Sequence, residues 1–150
     1  MRLIRTTRRR SQSGNVILEF GLAFPLLITF MSGMFQFGYA FFVYNQLQSA
    51  IRAGARYAAL ADFDGGSAGG TFTNNVRNVV VYGTPAGGSI PVLTGLTTAN
   101  VNVAWAADAM GIPQTVTVNI TNFTFSVVWT SYQLTNKPRA TFIYLGQYLT

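Results

Sequence analysis

Residues 16–44 read VILEFGLAFPLLITFMSGMFQFGYAFFVY, and this stretch decides the fold. It holds one charge, Glu19, close to its start, and from Phe20 to Tyr44 a single strongly polar side chain, Gln36, interrupts 25 residues. As a helix those residues reach about 37 Å at a rise of 1.5 Å each. A hydrocarbon core of roughly 30 Å is therefore crossed with some tilt. The competing reading is the buried core helix of a soluble protein. It fails because nothing else in the 150 residues is apolar enough to surround such a helix. Pro25 removes one helical hydrogen bond, so a kink is expected near residues 21–25. Gly21, Gly33 and Gly38 leave room for close approach of neighbouring helices, as small residues do in lipid.

Composition agrees with a chain that is not solvated throughout. Apolar residues make up 49% and charged residues 9%, against about 25% charged in an ordinary soluble domain. The net charge of +6 is a terminal property. Arg2, Arg5, Arg8, Arg9 and Arg10 are five of the ten cations, and from residue 15 onward five cations face four acids. No basic patch interleaved with aromatics runs along the body, so nucleic acid is not an expected partner. Cysteine and histidine are both absent. The usual nucleophiles, general bases and transition-metal ligands are thereby missing, and neither an enzyme nor a bound cofactor is expected. The five leading arginines against Arg52 and Arg56 beyond the span place the N-terminus in the cytoplasm by the positive-inside rule.

Outward from the span, four segments follow. Residues 1–14 form a basic leader. Residues 15–61 form one long helix, with the transmembrane span at about 20–44 and a continuation, NQLQSAIRAGARYAALA, rich in helix formers. Leu47, Ile51, Ala55 and Ala58 make a narrow apolar stripe on that continuation. Residues 62–70 (DFDGGSAGG) read as a helix stop and Gly-rich linker. Asp62-Phe-Asp64-Gly65 lacks the later carboxylates a calcium loop needs. Residues 71–150 read mostly as strands: an apolar run at Asn75–Tyr82, alternation in Ala99–Trp105 and Val116–Val128, and a last strand at Ala140–Leu145. A phase change at Thr121-Asn122 marks a hairpin turn or a bulge. Asn119-Ile-Thr and Asn122-Phe-Thr match glycosylation sequons, read more simply as exposed polar strand positions. The expected class is α+β, with a long N-terminal transmembrane helix continuing into the periplasm and a small antiparallel β-rich domain packed on it.

The junction Arg8-Arg9-Arg10-Ser11-Gln12-Ser13-Gly14-Asn15-Val16-Ile17-Leu18-Glu19-Phe20 carries the functional signal. A secretory signal is cut after its apolar segment, whereas here the small residue Gly14 precedes it. The residues after Arg9-Arg10 fit a twin-arginine signal poorly. A carboxylate inside an apolar helix costs about 2.5–3.5 kcal/mol at the bilayer centre, so Glu19 is a functional candidate. Its natural partner is a cation, which a cut between Gly14 and Asn15 would create as a new α-amine.

Glycine, four residues, then Glu19-Phe20 resembles the processing site of type IV prepilins. Glu19-Phe20-Gly21-Leu22-Ala23-Phe24-Pro25-Leu26-Leu27 and Ala50-Ile51-Arg52-Ala53-Gly54-Ala55-Arg56-Tyr57-Ala58-Ala59 narrow the likeness to the TadE/TadG-like minor pilins, or pseudopilins, of tight-adherence (Tad, Flp-type) pilus systems. The resemblance covers roughly residues 8–61 and leaves the β region aside. It implies cleavage after Gly14 by a prepilin peptidase, with Arg8, Arg9 and Arg10 in the basic leader. It further implies residence in a bacterial inner membrane, Glu19 and Phe20 serving assembly, and Pro25, Gly33, Gly38 and Gly54 serving helix packing. The implied partners are other pilins and pseudopilins, the inner-membrane assembly platform and the lipid bilayer. The alternative is an uncleaved, single-pass envelope module for binding or adhesion.

Overall fold

The computed structural model describes residues 13–65, 70–127 and 129–146. Arg8, Arg9 and Arg10 of the leader, and residues 66–69 of the linker, lie outside the described residues. Two compact units divide the chain, Met1–Gly38 and Tyr39–Thr150. The first helix, α1, Ser13–Leu60, runs for 48 residues with Pro25 inside it. It is continuous through that proline, and the Thr29 hydroxyl donates to the Pro25 carbonyl at 2.8 Å.

In the first unit α1 is bare. Phe20 is 64% exposed and Met34 77%, and the most apolar stretch of the helix has none of its residues buried. Burying a Leu or Phe side chain is worth about 1.5–3 kcal/mol, so leaving this many in water would cost tens of kcal/mol. The bareness matches the expected membrane span.

In the second unit α1 becomes a core element. Val43, Leu47, Ile51, Ala55 and Ala58 are all buried, so the stripe read from the sequence is the face that the head covers. The helix end is tied down from the far end of the chain. Leu145 N–H donates to the Ala59 carbonyl at 2.7 Å, and the Tyr144 hydroxyl to the Ala61 carbonyl at 2.9 Å. Two of the carbonyls that a helix C-terminus leaves without intrahelical partners are thus satisfied.

The run expected as a strand at Asn75–Tyr82 is instead helical: α2 spans Thr71–Tyr82. Val79, Val80 and Val81 favour a strand by propensity. Phe72, Val76, Val79 and Val80, however, fall at helical spacing and are all buried, and burial outweighs propensity. Gly83 closes the helix in the left-handed region at φ 78°, its N–H donating to the Val79 carbonyl. At the other end the Asp64 carboxylate accepts the Phe72 N–H at 3.0 Å. The expected linker residue is thus a cap for α2 supplied from outside the helix.

A 3-10 turn, Thr98–Asn100, leads into five strands: β1 Val101–Ala107, β2 Pro113–Ile120, β3 Phe123–Val127, β4 Thr130–Leu134 and β5 Arg139–Ile143. They form two antiparallel sheets, one of order β1-β2-β5 and a ribbon of β3 and β4. In the larger sheet Val103 faces Val118, and Val118 in turn faces Ala140. The apolar face carries Val101, Val116, Val118 and Ile120 into one core with Leu47, Ile51, Val76 and Val80. The antiparallel β-rich part packed on the helix is therefore present, with α2 as the unforeseen third component.

Two strand-level expectations need correction. The phase change at Thr121-Asn122 is not a hairpin, because β2 and β3 do not pair. There the chain passes from one sheet to the other, with Asn122 at φ 53°, a conformation asparagine tolerates better than most residues. Asn119 is not an exposed position either: it is buried. Its carbonyl oxygen accepts from Asn102 Nδ2 at 3.1 Å, and its Nδ2 donates to Asn136 Oδ1 at 2.9 Å. Such a bonded amide is not available as a sequon acceptor.

Candidate functional site

The candidate site is the first turns of α1. Gly14 and Asn15 are helical and exposed, and Glu19 is exposed on the same continuous helix. Asn15 and Glu19 are four residues apart, which places them on one face as helix neighbours. Phe20, next to Glu19, stacks on Phe24 with ring centroids 5.3 Å apart. A cut at the Gly14–Asn15 bond would therefore put a cation one helical turn from the Glu19 carboxylate.

The four expected packing positions fall into two groups. Pro25, Gly33 and Gly38 all lie on the bare part of α1, and a Cβ added at Gly33 or Gly38 would meet nothing within 4 Å. Gly54 is buried within the head. A Cβ there would run into Val80 Cγ2 and lie 3.5 Å from the Val76 carbonyl oxygen. Gly54 is thus where α2 crosses α1 closely, an internal contact in this structure.

At the other end of the head, a groove of about 740 Å³ lies between the end of α1 and the start of α2, lined by Arg56, Tyr57, Asp62, Phe63, Asp64 and Phe72 among others. Part of its lining serves the fold. Asp64 caps α2, and Phe63 packs edge-on to Phe72 and Trp105, at 5.2 and 5.5 Å between centroids. Tyr144, close by, has its hydroxyl pKa raised by burial and by the Asp62 carboxylate, against a smaller opposing effect of a hydrogen bond to the Phe63 backbone. No group of three or more potential metal-ligating side chains comes together among the described residues. Asp64 and Tyr144 were missed as anchors because their partners lie 8 and 83 residues away, a pairing no local pattern encodes.

Among the described residues, one helix long and apolar enough to cross a membrane, near the N-terminus, with a compact α+β head built on its second half, fits a single-pass, membrane-anchored class. Residues 14–56 match the family model described as TadE-like protein. The resemblance read from the sequence is thereby borne out over residues 14–56. The match begins at Gly14 and takes in Glu19, Phe20 and Gly54; it stops before α2 and the strands. None of the curated proteins and none of the solved structures compared matches the chain.

Proposed function

We propose that the protein is a minor pilin, or pseudopilin, of a Tad/Flp-type pilus, a structural subunit with no catalytic role. It enters the bacterial inner membrane with its basic leader in the cytoplasm and its head in the periplasm. A prepilin peptidase cuts it after Gly14, and it then joins other pilins and pseudopilins through the assembly platform. The observation that carries this reading is the TadE-like match starting at Gly14, joined to a bare apolar helix that holds one carboxylate, Glu19.

The physics of Glu19 supports it. The stretch Phe20–Gly38 is 19 residues, about 28 Å of helix at 1.5 Å each and close to the thickness of a hydrocarbon core. The head unit begins at Tyr39 and covers Val43 and Leu47. Glu19 falls just before Phe20, at the cytoplasmic edge of the span expected at 20–44. A carboxylate at that edge is neutralised most cheaply by a neighbouring cation, and cleavage makes one at Asn15 of the same or an adjacent subunit.

The test is piliation by Glu19→Gln, which keeps size and polarity and removes charge. The variant is expected to be cut and inserted but absent from sheared filaments. Filament recovery at the wild-type level from a cleaved Glu19→Gln chain would remove the pairing.

A further inference from the structure

The larger sheet gives the head two chemically different ends. At one end Ile143 of β5 pairs with Thr115 of β2, and Thr115 pairs with Ala106 of β1. Asp108 follows in the β1–β2 turn, where its Oδ1 accepts the N–H groups of Met110 and Ile112. Tyr144, next after β5, donates its hydroxyl to the Ala61 carbonyl, which sets Asp62 at this end too. Phe63 packs on Trp105 of β1 there, and Asp64 caps α2 beside it. Asp62, Asp64 and Asp108 are all the carboxylate side chains of residues 39–150. They share one end.

Cations hold the opposite end. There Val101 of β1 pairs with Ile120, and Asn119 with Arg139 of β5. Arg77 Nε donates to the Val101 carbonyl at 3.1 Å. Lys137 stands between Asn136, whose Oδ1 accepts from Asn119 Nδ2, and Pro138, whose carbonyl accepts the Ile120 N–H. Lys137 and Arg139 are exposed, as are Asp62 and Asp64. The remaining cations of the head are Arg52 and Arg56. Arg56 lines the groove with Asp62 and Asp64 and offsets one carboxylate. β1, seven residues long, sets the two ends about 20 Å apart at the rise of a strand. The screening length is about 8 Å at physiological salt, so neither end neutralises the other within one copy.

We propose that copies of this chain join head to tail, the end with Lys137 and Arg139 of one head docking on the end with Asp62 and Asp64 of the next. The occupant is a second copy because one head exposes both signs of charge, on separate ends, while two like ends repel. A contact between two different patches leaves one of each free, so copies add in one direction, as a filament requires. The inference rests on the pilin reading of the chain and names one partner within it. The two can fail separately.

The experiment uses the full chain in detergent micelles at about 0.01 M salt, where the screening length is about 30 Å, and at about 1 M, where it is about 3 Å. Because the chain lacks cysteine, Thr135→Cys marks the basic end and Met110→Cys the acidic end, both at exposed residues. The two chains are mixed and treated with a flexible bismaleimide. Cross-links between the two marked ends should dominate at low salt and fall about tenfold at high salt. Lys137→Glu with Arg139→Glu in the first chain should abolish them. Asp62→Lys with Asp64→Asn in the second should then restore them, the amide keeping an acceptor for the Phe72 N–H. Cross-links between like ends as abundant as mixed ones would overturn the head-to-tail contact. Indifference to salt, or a loss that the second reversal fails to repair, would overturn its basis in charge. Cross-linked chains that are never cut at Gly14 would remove the pilin reading and leave this contact standing. Cut chains that reach filaments without cross-linking would do the reverse.

Discussion

Replacing Gly54 by alanine probes the closest internal contact of the head. The new methyl would collide with Val80 Cγ2 and sit 3.5 Å from the Val76 carbonyl. Val80 is fully buried, so it has no empty space to turn into. Overpacking of this kind costs about 1–3 kcal/mol, while glycine to alanine inside a helix returns about 0.8–1 kcal/mol. The net is a loss on the order of 1 kcal/mol, which for a unit of this size lowers the midpoint of thermal unfolding by roughly 4–8 °C. Near-ultraviolet circular dichroism of the detergent-solubilised full chain reads it. Gly33→Ala is the internal control, since its Cβ meets nothing within 4 Å, and it should lower no midpoint. Val80→Ala opens the space that the new methyl occupies. The double variant should therefore be more stable than the two single losses add to, by about 1 kcal/mol of coupling. An unchanged midpoint for Gly54→Ala, with strict additivity in the double variant, would refute the close crossing of α1 and α2.

Two further substitutions test the ties between distant segments. Tyr144→Phe removes the donor to the Ala61 carbonyl and should cost about 1 kcal/mol. It should also change the alkaline limb of stability. The Tyr144 pKa is raised in the folded chain, so its stabilising contribution is whole below the ordinary tyrosine value near 10. That contribution is lost as pH climbs from there through the raised value, a decline that Tyr144→Phe should lack in a pH series of unfolding midpoints. Asp64→Ala removes the carboxylate that accepts the Phe72 N–H and should cost about 0.5–2 kcal/mol, the range of helix caps. Amide hydrogen exchange should show the gain in opening at the first turn of α2, and unchanged protection there would rule out the cap.

The long helix was legible because its signals are local. An uncharged run longer than a bilayer and a spaced apolar stripe, Leu47-Ile51-Ala55-Ala58, both read directly off neighbouring residues. The strands of the larger sheet were legible for the same reason, through alternation in residues 101–105 and 116–120. α2 was misread because three consecutive valines outweighed a spacing, Phe72-Val76-Val79-Val80, that its buried face later explained. The division of β2 and β3 between two sheets was hidden in a single phase change, which a hairpin, a bulge and a crossing all produce. Asn119 looked exposed because its two amide partners, Asn102 and Asn136, are each 17 residues distant. At the N-terminal site the spacing from Asn15 to Glu19 was readable, because helix geometry puts residues four apart on one face.

The most direct test of the account is the N-terminus of the mature chain. Intact-mass measurement of the membrane-extracted protein, with and without an active prepilin peptidase, decides it. The account predicts a chain that begins at Asn15, lighter than the full sequence by the fourteen residues MRLIRTTRRRSQSG, and a full-length chain when the peptidase is absent. A chain that begins at Met1 in both cells, or one cut beyond Tyr44, would contradict it.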